Sequence, residues 1–264
     1  MTYRKPFRQG IELKKKHGQN FLKDRSYIDR MIEAVHVDKN ISIIEIGCGE
    51  GILTQAILQG PCKQLKVFEI DPEWASFVER MYGADSRLTM IQQNVLDTNW
   101  DLLVDQGPWL LLANLPYHVT FPILYKVHKY REMFQEGVVM VQEEVAQKIV
   151  KSGGRDFGYT SLFFQHYFTW KLLDKVPPGA FFPPPKVFSR LIQFTPKKNI
   201  TSIPQEEEFW KFIKLCFHQP RRTLHNNLKQ SHFNLEKLSE ELLLKRAQQL
   251  NMQNFLQIWS ILHA

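Results

Sequence analysis

Three cysteines in 264 residues, Cys48, Cys62 and Cys216, are too few and too far apart for a disulfide framework or a CxxC metal site. The expectation is reduced thiols in a cytosolic protein without a metal. No apolar run approaches the roughly 18 residues that a membrane span needs. Basic residues stand between Met1 and Phe21, but no apolar stretch follows them, so a secretory signal is not expected. Internal repeats and low-complexity tracts are also missing, which excludes solenoids and propellers.

What is present suffices for a full core, since 44% of the chain is hydrophobic and 12% aromatic. Charge is unevenly placed within a total of +7. Residues 1–23 hold seven Lys/Arg against Glu12 alone, and residues 197–264 hold ten basic against six acidic side chains. The stretch between them carries 17 basic and 20 acidic residues. Basic ends on a near-neutral body point to a polyanion gripped at the ends. A basic surface kept for solubility would give the same count.

Ser26 reads as a helix N-cap, with Ile28, Met31, Ile32 and Val35 following at helical spacing. An apolar run, Ile41 to Ile46, then meets the glycine-rich turn Gly47-Cys48-Gly49-Glu50-Gly51. A helix over Ile52–Leu58, a strand over Leu65–Ile70 and a helix opened by Pro72 come next. Strand patterns recur at Leu88–Gln92, Trp109–Ala113 and Gly137–Val141 with helical patterns between them. That alternation predicts a parallel, doubly wound sheet. Phe168–Val176 and Val187–Phe194, parted by Pro177-Pro178 and Pro183-Pro184-Pro185, predict an antiparallel finish. From Pro204 the pattern is helical, with segments at Phe209–Cys216, Leu235–Leu244 and Phe255–Leu262. The expected organisation is a basic segment 1–25, a core domain 26–203 and a small helical domain 204–264.

The glycines after the first strand let a ligand approach the backbone closely, where a Cβ would obstruct it. Dinucleotide and S-adenosylmethionine sites both use such a turn. A dinucleotide fingerprint starting at Gly47 and Gly49 needs a third glycine at position 52, where this chain has Ile52. Without a pyrophosphate to cradle, that glycine is dispensable, and the turn reads as an S-adenosylmethionine site. Glu69, twenty residues beyond Gly49 at the end of the second strand, can accept hydrogen bonds from both ribose hydroxyls. The alternative is a solvated acid at a strand end. Asn94, past the third strand, is placed for the adenine edge or for a turn. Ile70 and Val95 are expected beside these two in the cofactor site.

Asn114-Leu115-Pro116-Tyr117 ends the fourth strand, at the mouth where such sheets bind ligands. The reaction it suits is an in-line displacement at a sulfonium methyl. An adenine amine is a poor nucleophile because its lone pair is delocalised into the ring. The Asn114 amide oxygen and the Leu115 carbonyl can hold its two N–H groups and aim the lone pair. Pro116 fixes the turn, and Tyr117 offers a stacking face. As an isolated tetrapeptide it could be an ordinary turn. Its position after the glycine turn and the acid-ended second strand is what gives it weight.

With these motifs the chain resembles the small-subunit ribosomal RNA adenine dimethyltransferases, the kasugamycin-sensitivity enzymes of bacteria. Further matches are Gly18-Gln19-Asn20-Phe21-Leu22, Val176-Pro177-Pro178, Phe181, Pro183 to Val187, Ser189 and Phe217 to Leu228. The resemblance implies an α/β fold: a Rossmann-like class I S-adenosylmethionine-dependent methyltransferase with a small C-terminal all-helical domain. It implies dimethylation of two adjacent adenosines near the 3′ end of the small-subunit RNA, in a pre-30S particle, by a cytoplasmic monomer. Asn20 and Leu22 would meet the methionine part of the cofactor, and Phe181 would close a stacking sandwich with Tyr117, although composition alone favours a core phenylalanine beside a proline loop. Arg221 and Arg222, with Lys14, Lys15 and Lys16, would hold RNA phosphates.

The chain departs from the family pattern at Asn94 and Phe188, where aspartate is usual, at His118 for asparagine, and at Pro220. An aspartate is expected to hold the cofactor's adenine amine more tightly, so Asn94→Asp should strengthen cofactor binding if no carboxylate stands nearby. The rival enzyme class is the macrolide-resistance methyltransferases of large-subunit RNA, against which the Pro183–Val187 loop and the Arg221–Leu228 segment argue. A non-catalytic RNA-binding factor on the same fold is the rival of another class, and intact Gly47, Glu69 and Asn114 argue against it.

Overall fold

Residues 7–14, 18–102 and 107–263 are described by the structure, a computed structural model. One sheet is built from β1 (Ser42–Ile46), β2 (Gln64–Phe68), β3 (Leu88–Ile91), β4 (Trp109–Asn114), β5 (Phe134–Gln142), β6 (Phe168–Val176) and β7 (Ser189–Pro196). Its spatial order is β3-β2-β1-β4-β5-β7-β6. The strands from β3 to β5 pair in parallel. β7 runs antiparallel to β5, with Ser189 opposite Gln142 and Phe194 opposite Gly137. Both the doubly wound core and the antiparallel finish therefore stand as expected.

The strand sequences explain this placement. All of β1 and the first five residues of β4 are buried. Near-continuous apolar runs of this kind belong to parallel strands covered on both faces. Helices α1 (Arg25–Glu33), α2 (Ile52–Leu58), α3 (Pro72–Tyr82) and α4 (Thr120–Lys129) connect or precede these strands. Ile28 and Met31 of α1 join Ile43, Leu53, Leu65 and Leu112 in the main core cluster. The α1 cap differs from expectation. Asp24, not Ser26, caps it, its carboxylate accepting from the Ser26 backbone N–H at 3.1 Å and from the Ser26 hydroxyl at 2.7 Å. A charged acceptor at the positive end of a helix outcompetes a hydroxyl.

Contacts divide the chain into two compact units. The first comprises residues up to Ala146 together with Trp170–Pro196, and carries the sheet. The second joins Gln147–Thr169 to the residues from Lys197 onward, so it begins before the expected break at 204 and draws on two stretches. Its α5 (Tyr159–Tyr167) and α6 (Glu206–Cys216) share an aromatic core, in which the Trp210 Nε1–H donates to the Tyr167 hydroxyl at 2.7 Å. That hydrogen bond and the ring contacts around Phe163 give α5 its place with the helices. The expected continuous helix Leu235–Leu244 is broken. A 3-10 turn at Leu235–Lys237 precedes a short helix, Glu240–Leu244, which Ser239 caps.

Candidate active site

The carboxyl ends of β1, β2 and β4 open into a cavity of about 330 Å³. Its position follows from the topology, since the loops leaving parallel strands splay apart at that end. The turn after β1 hugs the sheet, with the Gly47 N–H donating to the Phe68 carbonyl at 2.8 Å. Gly47 and Gly49 have φ of +76° and +51°, a region that L side chains avoid. A Cβ on Gly49 would stand 2.5 Å from the Phe21 ring, so glycine keeps this wall of the cavity thin.

Every expected catalytic or cofactor residue but Phe181 lines this one cavity: Asn20, Leu22, Gly47, Gly49, Glu69, Ile70, Asn94, Val95, Asn114, Leu115, Pro116 and Tyr117. Glu69 is buried and held by backbone donors, Asp71 N–H at 2.8 Å on one oxygen and Gly49 N–H at 3.2 Å on the other. Burial pushes its carboxyl up, and those two N–H groups oppose the shift. Asn114 is oriented across the chain, its Nδ2 donating to the Asn20 carbonyl at 3.3 Å. One of its two N–H groups is committed there, which turns the amide so that its oxygen remains as an acceptor. The Tyr117 hydroxyl lies 2.6 Å from Ser189 Oγ. Burial raises the Tyr117 phenol and the Ser189 bond lowers it, with the net shift upward, so it stays neutral and offers an uncharged ring face.

Three expectations are corrected. Phe181 does not line the cavity. It is 1% exposed and packs in the core with Leu22, Ile28, Val176 and Ala180. The pairing of Phe181–Phe182 with Phe21–Leu22 fixes it there, and a buried ring cannot stack on a base. Lys14 is committed inside the fold, its ammonium 2.6 Å from both Asp71 and Glu73. Asp71 is fully buried, and Gln19 Nε2 donates to it at 2.9 Å. Burial alone would raise its carboxyl, but Lys14 and Gln19 outweigh that and leave it below the usual range. A lysine neutralising a buried acid is not available to a phosphate. Lys15 and Lys16 lie outside the described residues. Third, Asn94 lines the cavity but is already engaged. Its Oδ1 accepts from the Leu96 N–H at 3.1 Å, and its Nδ2 donates to Asp97 at 2.8 Å. A carboxylate therefore does stand beside it, and the condition for Asn94→Asp to strengthen binding fails.

Arg221 and Arg222 are exposed just before the short helix Leu224–Leu228, which Thr223 caps.

Sequence reasoning missed Glu45. It is buried, its Oε2 accepts from the Thr54 hydroxyl at 2.7 Å, and among the described residues its Oε1 has no partner. Burial raises its pKa from 4.5 to about 8, against the Thr54 bond and helped by the nearby Glu69. The signal was legible: an acid inside an otherwise apolar strand is seldom idle. The Lys14–Gln19–Asp71 cluster was also missed, and nothing in the spacing announces it.

Three acids, Glu45, Glu50 and Glu69, line the cavity, and among the described residues no lysine or arginine does. Glu45 keeps its proton at neutral pH and Glu50 is paired with Arg8, so the three do not sum to three negative charges. S-adenosylmethionine, with a sulfonium and an ammonium against one carboxylate, meets no lysine or arginine among these lining residues, and the glycine turn fits it on shape. A phosphate-bearing cofactor would find neither of those cations there to hold its phosphates.

Comparison with known proteins agrees. The family model described as ribosomal RNA adenine dimethylase matches residues 10–264. A protein of Prosthecochloris aestuarii called ribosomal RNA small subunit methyltransferase A is 33% identical over 251 residues, 95% of this chain and 94% of its own. Its namesake in Chlorobium luteolum is 34% identical over 252 residues, 95% of this chain and 90% of its own. Among solved structures, a dimethyladenosine transferase from Plasmodium falciparum superposes with a TM-score of 0.78 at 23% identity, over 90% of this chain and 95% of that one. The 23S rRNA methyltransferase ErmE gives 0.72 at 20% identity, over 93% and 100%. At those identities the two structures bear on the fold alone, and they share it. The cofactor is S-adenosylmethionine, and the chain belongs to the ribosomal RNA adenine dimethylase family.

Proposed function

We propose that the chain transfers methyl groups from S-adenosylmethionine to N6 of two adjacent adenosines near the 3′ end of small-subunit ribosomal RNA, giving N6,N6-dimethyladenosine. It would act as a cytoplasmic monomer on a pre-30S particle, during small-subunit biogenesis. One observation carries the chemistry: the Asn114 amide, oriented by Asn20, stands at the mouth of a glycine-walled cavity. The small-subunit target is favoured by 33–34% identity over 95% of the chain to proteins bearing that name.

The bound cofactor supplies an electrophilic methyl. The chain supplies the rest. Glu69 would accept from the cofactor's ribose hydroxyls, Ile70 and Val95 would flank it with apolar surface, and Asn20 and Leu22 would close the site from the N-terminal side. Asn114 Oδ1 and the Leu115 carbonyl accept from the target amine, on the turn fixed by Pro116, and Tyr117 faces the base. No general base is required before attack, and most of the rate gain comes from positioning. Arg221 and Arg222, on the helical unit, would contact phosphates. Labelled cofactor incubated with each ribosomal subunit from a strain lacking these methyl groups tests the reading. Dimethyladenosine should appear at two adjacent positions of small-subunit RNA, mapped by primer-extension stops. Label confined to large subunits would overturn it.

A further inference from the structure

The rim carrying Asn114 continues sideways into a feature that methyl transfer itself does not use. Asn114 pairs with Met140 in β5, and Gln142, which ends β5, lies opposite Ser189 at the start of β7. Asn114, Gln142 and Ser189 thus stand at one end of the sheet. With neighbouring strands about 4.8 Å apart, β7 lies roughly 10 Å from β4. The hydrogen bond between Tyr117 and Ser189 ties the two ends of that span together.

Phe188 is the next residue outward. Its carbonyl accepts from the Glu143 N–H at 2.9 Å, which pins the backbone, yet its side chain is 45% exposed. The ammonium of Lys175 sits 4.5 Å from the ring centroid. Val187 is also exposed, and Lys186 extends the basic character. A pinned aromatic with a cation over it, left open beside the reaction rim, has the composition of a single-stranded nucleic-acid site: a π face for a base and positive charge for the backbone.

We propose that Phe188 stacks on a nucleobase flanking the target adenine, with Lys175 and Lys186 meeting the adjoining phosphates. The inference rests on the RNA substrate reading above. An adenine presented to Asn114 must leave its own stack, which strips its neighbours of a stacking partner. Phe188 replaces that lost face.

The test pairs steady-state methylation of small subunits from a strain lacking the modification with fluorescence anisotropy on a labelled single-stranded RNA containing two adjacent adenosines. Phe188→Ala should raise the KM for the particle and the Kd for the oligonucleotide by roughly 5- to 100-fold, the range for one lost base stack. Its kcat should stay within about twofold, and cofactor affinity by calorimetry should not change. Phe188→Trp should match the wild type. Phe188→Leu should behave like the alanine variant, because it keeps apolar area without a π face. Lys175→Ala should weaken RNA binding less and flatten its salt dependence. Unchanged KM and Kd in Phe188→Ala overturn the proposal. Full rescue by leucine also overturns it and marks an apolar protein contact instead. If the wild type leaves the particles unmethylated, the substrate assignment fails, and the anisotropy series still decides whether Phe188 stacks on RNA.

Discussion

At Glu45 a carboxylic acid lies in a strand whose other members are Ser42 and three isoleucines, and this sets a pH dependence. Between pH 4.5 and about 8 the folded chain keeps a proton there that the unfolded chain has lost. Raising the pH through this window therefore removes stability, at up to about 1.4 kcal/mol per unit from this group. Glu45→Gln, which cannot ionise, should flatten that slope, so its melting temperature should gain on the wild type between pH 6 and pH 8. Parallel slopes in thermal melts would mean that Glu45 is ionised in the fold.

Asn94 gives a second residue-scale outcome. Asn94→Asp would set two carboxylates face to face where Nδ2 now meets Asp97 at 2.8 Å, and should weaken cofactor binding in calorimetry. Asn94→Asp combined with Asp97→Asn restores a donor–acceptor pair and should recover the affinity. Asn114→Ala should cut kcat by roughly 10²-fold with cofactor affinity nearly intact, because the amide orients the amine rather than the cofactor.

Among the elements, α3 depends on its N-terminus. Asp71 caps it through the Glu73 N–H at 3.2 Å while also receiving Lys14 and Gln19, so it anchors the N-terminal segment to the helix that follows β2. Lys14→Met leaves a buried carboxylate without its counter-ion and should cost about 1–3 kcal/mol in denaturant melts. Adding Asp71→Asn should recover most of that loss. The salt dependence of RNA binding should not move, and a shallower slope in Lys14→Met would return this lysine to the RNA surface. The motif Gly18–Leu22 gains its position the same way, through Asn20 meeting Asn114 and Phe21 meeting Gly49.

For the whole molecule, binding to a polyanion falls to the charges the fold leaves uncommitted. Replacing Arg221 and Arg222 by alanine should weaken RNA binding and reduce the salt slope by roughly 0.7 log units per lost phosphate contact. Cofactor affinity should not change, since neither arginine lines the cavity. An unaltered slope would leave these arginines as solvating surface. No helix among the described residues is long and apolar enough to cross a membrane.

The sequence by itself determined the sheet and its cofactor end, because strand periodicity, a glycine turn and an acid at the second strand's end are local patterns read within a few residues. Asn114 to Tyr117 was legible for the same reason. Tertiary structure decided what depends on distant partners. Resemblance makes Phe181 a site residue where composition makes it core, and pairing with Phe21–Leu22 decides for the core; Lys14 reads as a surface charge until Asp71, 57 positions away, claims it. Burial and ion pairing are set by what packs opposite a side chain, and the spacing along the chain does not carry that information.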